Sequence, residues 1–210
     1  MSPIIRFASQ DFVLDASGAL YWPAQKAVIL SDIHLGKVAH FRKHGTALPT
    51  EAQYENYHRL TKLIECYKPQ QMLIIGDLFH STINSEWPVF ERFVRAQQTQ
   101  FRLIVGNHDI IDPKLFLALN IEVLDTLTLH NITFSHYPDH ESEVYRISGH
   151  LHPAIRLRIG SAEKRTLKCF YIKNKQLVLP SFGYFTGNTR IRQLEVDQVY
   201  VIAEGEVIAI

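Results

Sequence analysis

Asp32, His34, Asp77, Asn107, His108, His136, His150 and His152 each stand in a loop just past a short apolar run. Carboxylate, imidazole and carboxamide are metal-ligand types. Imidazole mixed with carboxylate suits borderline cations such as manganese, iron or zinc, whereas magnesium and calcium prefer sets dominated by oxygen. The chain holds 11 histidines, and several gather at the ends of apolar runs instead of scattering evenly. Side chains at i and i+2 on a strand end point to one side, so Asp32 with His34, or His150 with His152, can each feed one small site. More ligands are present than the four of a single tetrahedral site, and Asp77 has two oxygens with which to bridge a pair of ions. Glycines precede Asp77, Asn107 and His150, as a chain needs when it turns sharply and brings its backbone close to a ligand.

The elements that must position these groups are legible from hydrophobic periodicity. Short strands are predicted at Ile4 to Phe7, Phe12 to Leu14 and Ala19 to Trp22, then at the apolar run Ala27 to Leu30. Thr50 with Gln53 forms a capping-box signature ahead of Tyr54, Tyr57, Leu60, Leu63, Ile64 and Tyr67 at helical spacing. Pro69 stops that helix. Strands follow at Met72 to Ile75 and Phe101 to Val105, with a shorter helix around Glu86 to Gln98 between them. From about Ile121 the period is mostly two, with strands near Leu127 to Leu129, Ile132 to Ser135, Val144 to Ser148, Ala154 to Ile159, Leu167 to Ile172, Gln176 to Leu179, Val199 to Ala203 and Val207 to Ile210. Helix-bearing βαβ units followed by a strand-rich half predict an α/β layered architecture, its sheets packed face to face with helices outside. In such sheets ligands gather at the carboxyl ends of the strands.

Bulk properties narrow the function classes. Lysine plus arginine total 22 against 21 acids, so no global field draws the protein to nucleic acid or an anionic membrane. The first residues lack the basic start and apolar core of a secretory signal, and no stretch approaches about 18 apolar residues, which predicts a cytoplasmic protein without membrane contact. The length of 210 residues predicts a single domain, 1–210. Cys66 and Cys169 form no CxxC pattern and read as reduced thiols packed in the core.

The blocks DIH, GD, GNHD, a lone SH and GHLH occur in that order between Asp32 and His152. They make the chain resemble the calcineurin-like metallophosphoesterases. More narrowly, SDIHLGK, HFRKHG, GDLFHS, GNHD and PSFGYFTG resemble the bacterial DNA ligase-associated metallophosphoesterases, a compact branch without a cap domain. The resemblance implies a four-layer αββα sandwich of two mixed sheets flanked by helices. It implies that Asp32, His34, Asp77 and His152 hold one ion and that Asp77, Asn107, His136 and His150 hold a second, with manganese the first choice and iron or zinc the alternatives. His108 then corresponds to the residue that contacts the phosphate and protonates the leaving oxygen, with Asp109 orienting it. Two ions about 3.5 to 4 Å apart lower the pKa of a shared water toward neutrality for in-line attack on phosphorus. The implied activity is that of a phosphodiesterase or endonuclease in DNA repair, with a DNA ligase and a helicase as partners. A small-molecule phosphomonoesterase, a nucleotide pyrophosphatase and an inactive binding scaffold are the alternatives.

For the remaining polar residues, ordinary surface roles compete with functional ones. His80, three residues past Asp77, and Lys37 and Arg42, after the DIH block with Lys43, are candidate substrate contacts. His40, His44, His58, His130 and His140 read as surface or supporting residues. The basic stretch from Pro153 to Lys175 reads as the wet side of a sheet in preference to a nucleic-acid face. Phe182-Gly183-Tyr184-Phe185 is suited either to stacking a base or to closing the rim of the site.

Overall fold

The computed structural model describes residues 2–38, 54–159 and 163–210. The first sheet runs in chain order: β1 (Ile4–Phe7), β2 (Gln10–Leu14), β3 (Leu20–Trp22), β4 (Ala27–Leu30), β5 (Gln71–Ile75), β6 (Gln100–Ile104) and β7 (Glu122–Leu124). Its first three pairings are antiparallel, while β4 to β7 lie parallel. All four residues of β4 are buried, as a parallel strand covered on both faces requires. Alternation then sorts its side chains: Val28 and Leu30 join the core beneath the helices, while Ala27 and Ile29 face the second sheet.

Among the described residues, three helices cover the outer face of this sheet: α1 (Glu55–Tyr67), α2 (Trp87–Arg95) and α3 (Pro113–Leu117). Tyr57, Leu60 and Leu63 of α1, Phe90 and Val94 of α2 and Phe116 of α3 all enter one core. Helix α1 ends at an αL Lys68 just before Pro69, as predicted; the Thr50 and Gln53 capping box lies outside the described residues. Helix α3 has no counterpart among the predicted elements. At five residues it is too short to show a period, and it is held by its start, where the Asp112 carboxylate accepts the Lys114 N–H at 2.9 Å and Pro113 occupies the first turn.

The second sheet is built from β8 (Leu127–Leu129), β9 (Ile132–Phe134), β10 (Tyr145–Ser148), β11 (Pro153–Ile159), β12 (Glu163–Lys173), β13 (Gln176–Val178), β14 (Thr189–Arg190), β15 (Gln198–Ala203) and β16 (Glu206–Ala209). Phe134, Ile147, Phe170 and Leu177 meet Phe12, Trp22, Ile29 and Ile75 of the first sheet. Burying each such side chain contributes about 1.5–3 kcal/mol, which fixes the two sheets face to face. On the far face of the second sheet, Ile155, Cys169 and Val199 are covered by Ile191 and Val196 of an irregular segment, so that outer layer is thinner than the helical one. Cys169 is buried as expected, but Cys66 is exposed on α1, because its position falls off the Tyr57–Leu60–Leu63 stripe. Among the described residues no helix is long and apolar enough to cross a membrane.

Candidate metal centre

Five loops meet at one end of the sandwich, each leaving the carboxyl end of a strand that has a parallel neighbour. Asp32 follows β4, Asp77 follows β5, Asn107 and His108 follow β6, His136 follows β9, and His150 and His152 follow β10. Parallel pairing continues into the loops, where the Asp32 N–H donates to the Gly76 carbonyl at 3.0 Å and the His34 N–H to the Asp77 carbonyl at 2.9 Å. Asp32, His34, Asp77, His150 and His152 all adopt positive φ, between 47° and 67°. Each such residue costs about 1–3 kcal/mol and persists only where the surroundings enforce it, a pattern concentrated at functional sites.

The side chains fall into adjacent clusters: Asp32, His34 and His152 in one, Asp77, His136 and His150 in another. The two carboxylate oxygens of Asp77 face different clusters, Oδ2 lying 3.7 Å from His34 Nε2 and Oδ1 3.6 Å from His136 Nε2. Asn107 Oδ1 lies 3.2 Å from His136 Nε2, which places it with the second cluster. Asp32 and His34 share a cluster as expected. His150 and His152 do not: they diverge into neighbouring clusters, against the i, i+2 expectation and in keeping with the ligand sets the resemblance implies. Gly106 and Gly149 make room for this crowding. A Cβ at Gly106 would stand 2.3 Å from Asp77 Oδ1, and one at Gly149 would stand 2.3 Å from Ser31 Oγ.

Proton placement tests whether these residues fit divalent ions. His136 Nδ1 lies 3.1 Å from the Ile75 carbonyl and His152 Nδ1 lies 3.1 Å from the Gly187 carbonyl. In the neutral rings both Nδ1 atoms carry the proton, so both Nε2 atoms turn lone pairs into the site. His152 Nε2 stands 3.1 Å from Asp32 Oδ1, which accepts no hydrogen bond among the described residues, and both nitrogens of buried His34 likewise have no hydrogen-bond partner among them. Lone pairs facing one another in a dry pocket repel unless a cation lies between them, so the donor set fits divalent ions. Burial pushes the His34 imidazole down to about 3, the neutral form a ligand needs. The Ser31 hydroxyl donates to Asp32 Oδ2 at 2.6 Å, which favours the ionised carboxylate that a ligand needs.

His108 sits beside these clusters and forms a third with His34 and His80. Its N–H donates to Asp77 Oδ1 at 2.9 Å, and its Nδ1 lies 2.8 Å from the His80 carbonyl, which leaves Nε2 outward. Asp109 does not orient the His108 ring; the His80 carbonyl does. The Asp109 carboxylate accepts the N–H groups of Asp77, Gly106, Leu78 and Phe79 at 2.7–3.3 Å, tying the GD loop to the GNHD loop. Burial pushes its carboxyl up to about 6 against the pull of those N–H donors. The His80 ring stacks on His108 with centroids 5.1 Å apart and lies 5.5 Å from His34, so the structure brings it to the site. Lys37 lines a small cavity with His34 and Glu86, and burial lowers its ammonium pKa against the opposing pull of Asp77. Arg42, Lys43, His40 and His44 lie outside the described residues. His58 is exposed, His130 pairs with Gln25, and His140 meets the Tyr171 hydroxyl.

Several supporting residues had no signal as single positions. Lys168 Nζ donates to the Ser181 and Gly183 carbonyls at 2.7 and 2.9 Å, and burial pushes its ammonium down to about 7. The Arg59 guanidinium donates to the carbonyls of Phe182 and Ser17 and lies 4.3 Å over the Phe182 ring. Together they clamp the PSFGYFT loop, whose Phe182 and Gly183 N–H groups donate to the Ser31 and Asp32 carbonyls. Phe182 is therefore a packing residue, while Tyr184 is 59% exposed.

Glu86 is buried under the turn after His34, accepting the Gly36 N–H at 2.7 Å, and burial pushes its carboxyl up from 4.5 to about 7. The folded state thus holds a proton that the unfolded chain releases. Its contribution is fully present below about pH 4.5 and is lost as pH rises through about 7. Glu86→Gln should abolish this dependence, improving stability relative to wild type by up to about 3 kcal/mol between those limits. Denaturant midpoints at both pH values read the effect; parallel pH profiles for the two proteins would contradict it.

Face-packed mixed sheets with paired His/Asp clusters at their carboxyl ends define a metal-dependent phosphoesterase. The chain belongs to the calcineurin-like phosphoesterase family, whose pattern matches residues 26–192. Among solved structures it is similar to the Pseudomonas putida nuclease MPE, with 29% identity, complete coverage of both chains and a TM-score of 0.84. A weaker likeness, to AQ665 from Aquifex aeolicus, a protein of unknown function, has 21% identity, a TM-score of 0.43 and coverage of 60% of this chain and 78% of that one. No curated protein matches the sequence.

Proposed function

We propose that the chain is a manganese-dependent phosphodiesterase acting on nucleic acid, as a single domain in the cytosol. Asp32, His34, Asp77 and His152 hold one ion in this reading, and Asp77, Asn107, His136 and His150 hold the other. The observation that carries it is the Asp77 carboxylate, whose two oxygens are turned toward separate His-bearing clusters. When bound, two such ions supply Lewis acidity and a nucleophile from water near neutral pH. His108 Nε2, left outward by the bond at Nδ1, gives the proton that the departing oxygen needs. Asp109 holds the backbone on which both Asp77 and His108 ride. His80, stacked on His108, and Lys37, beside His34, complete the substrate-facing wall.

Similarity to a nuclease along the whole chain supports a nucleic-acid substrate. A setting in DNA repair beside a ligase and a helicase rests on the resemblance of the GDLFHS and PSFGYFTG blocks; gene neighbourhoods lacking both enzymes would remove that setting. The function itself is tested by hydrolysis of bis-p-nitrophenyl phosphate and p-nitrophenyl phosphate with added manganese. Diester turnover lost in Asp77→Ala and reduced in His108→Ala supports the proposal. Preference for the monoester points to a small-molecule phosphatase, and no turnover with any divalent ion points to a binding scaffold.

A further inference from the structure

Strand register sorts the basic residues of the second sheet in a way their order along the chain does not show. In the β11–β12 hairpin Ala154 pairs with Lys168, Arg156 with Thr166 and Arg158 with Lys164, and Arg190 of β14 pairs with Ala154. Paired residues share a face, so Arg156, Arg158, Lys164, Lys168 and Arg190 lie on one side of the ribbon. No paired residue of these three strands on that side is acidic. The opposite side buries Ile155 and Cys169 among partly buried Leu157 and Leu167. It also carries the acid Glu163, whose carboxylate accepts the Arg165 Nε–H at 2.6 Å.

This cationic side continues the face that packs against the first sheet. Along β12, Phe170 and Ile172 fill the core between the sheets. Two residues before Phe170, Lys168 props the loop that supports Asp32, and beyond it Thr166 and Lys164 are exposed. The hairpin therefore overhangs the site end, and its inward face turns cationic where the first sheet stops covering it. Its root is bonded to the candidate ligands: β11 begins next to His152, whose carbonyl accepts the Thr189 N–H at 2.9 Å. At about 3.3 Å per residue, Arg156 and Arg158 lie roughly 13 and 20 Å along the strand from His152, a span covered by several nucleotides.

We infer that this face is a track for the phosphates of a nucleic-acid substrate flanking the scissile bond. A sheet surface that served only solubility would interleave both signs; here the acid is confined to the other side, and the track leads away from the metal-ligand loops. The inference rests on the nucleic-acid reading above.

The test compares the wild type with the triple variant Arg156→Ala/Arg158→Ala/Lys164→Ala in manganese. One substrate is a DNA oligonucleotide long enough to span the hairpin, single-stranded or annealed to its complement. The other is bis-p-nitrophenyl phosphate, which reaches only the metal centre. KM for the oligonucleotide should rise roughly tenfold or more with kcat retained. The slope of log kcat/KM against log salt should become shallower by about 2 for three lost contacts to a single strand. Turnover of the small diester should be kept. An unchanged oligonucleotide KM and salt slope would overturn the track while leaving the nucleic-acid reading intact, and equal losses on both substrates would overturn it as well. A wild type that hydrolyses the small diester but cuts neither DNA form would end the nucleic-acid reading, and the track with it.

Discussion

Asp77→Ala is expected to lower diester hydrolysis by at least about three powers of ten, since each costs 1.36 kcal/mol and Lewis-acid stabilisation is worth several kcal/mol. Two things are lost together. One is the group whose oxygens face both clusters, at 3.6 and 3.7 Å from His136 and His34. The other is the acceptor of the His108 N–H at 2.9 Å, which anchors the loop carrying the proton donor. Asp77→Asn separates them, because its carboxamide oxygen still accepts that N–H but carries no charge. Metal content and turnover should therefore fall in both variants. If the Asp77→Asn variant retained both, the residue would act by anchoring the loop and the bridging role would be wrong.

His108→Ala should lower kcat by about 10²- to 10⁴-fold, the range for a positioned general acid, with metal content unchanged. The ring shares a cluster with His34 and His80 that could itself hold an ion, but its Nδ1 is engaged by the His80 carbonyl and the Asp77-bearing cluster with His136 and His150 does not include it. The loss should be greater for an alkyl or nucleotide ester, whose alkoxide must be protonated, than for a nitrophenyl ester, whose leaving group departs readily. Equal losses on both would assign His108 to phosphate binding instead of proton transfer. A fall in metal content would move it into the ligand set.

The convergence of the candidate site residues could be read from the sequence because they stand at the ends of strands. Each candidate ligand follows a short apolar run within a few residues, and a buried parallel strand announces itself by composition. What could not be read depends on distant contacts. Arg59 and Lys168 reach the loop after β13 from elsewhere in the chain, Arg59 across 123 positions to Phe182. No local pattern marks either of them. Asp109 was legible as a participant but not in its role, since four N–H donors from two loops define it and only one of those loops contains it. The hairpin's basic residues were visible as a run, but their segregation to one face required the register.

Anomalous diffraction from crystals soaked in manganese, collected at the manganese edge, tests the central claim most directly. The account predicts two peaks about 3.5 to 4 Å apart, one among Asp32, His34 and His152 and one among Asn107, His136 and His150, with Asp77 between them. A single peak, or none at concentrations that support hydrolysis, would contradict a two-ion centre.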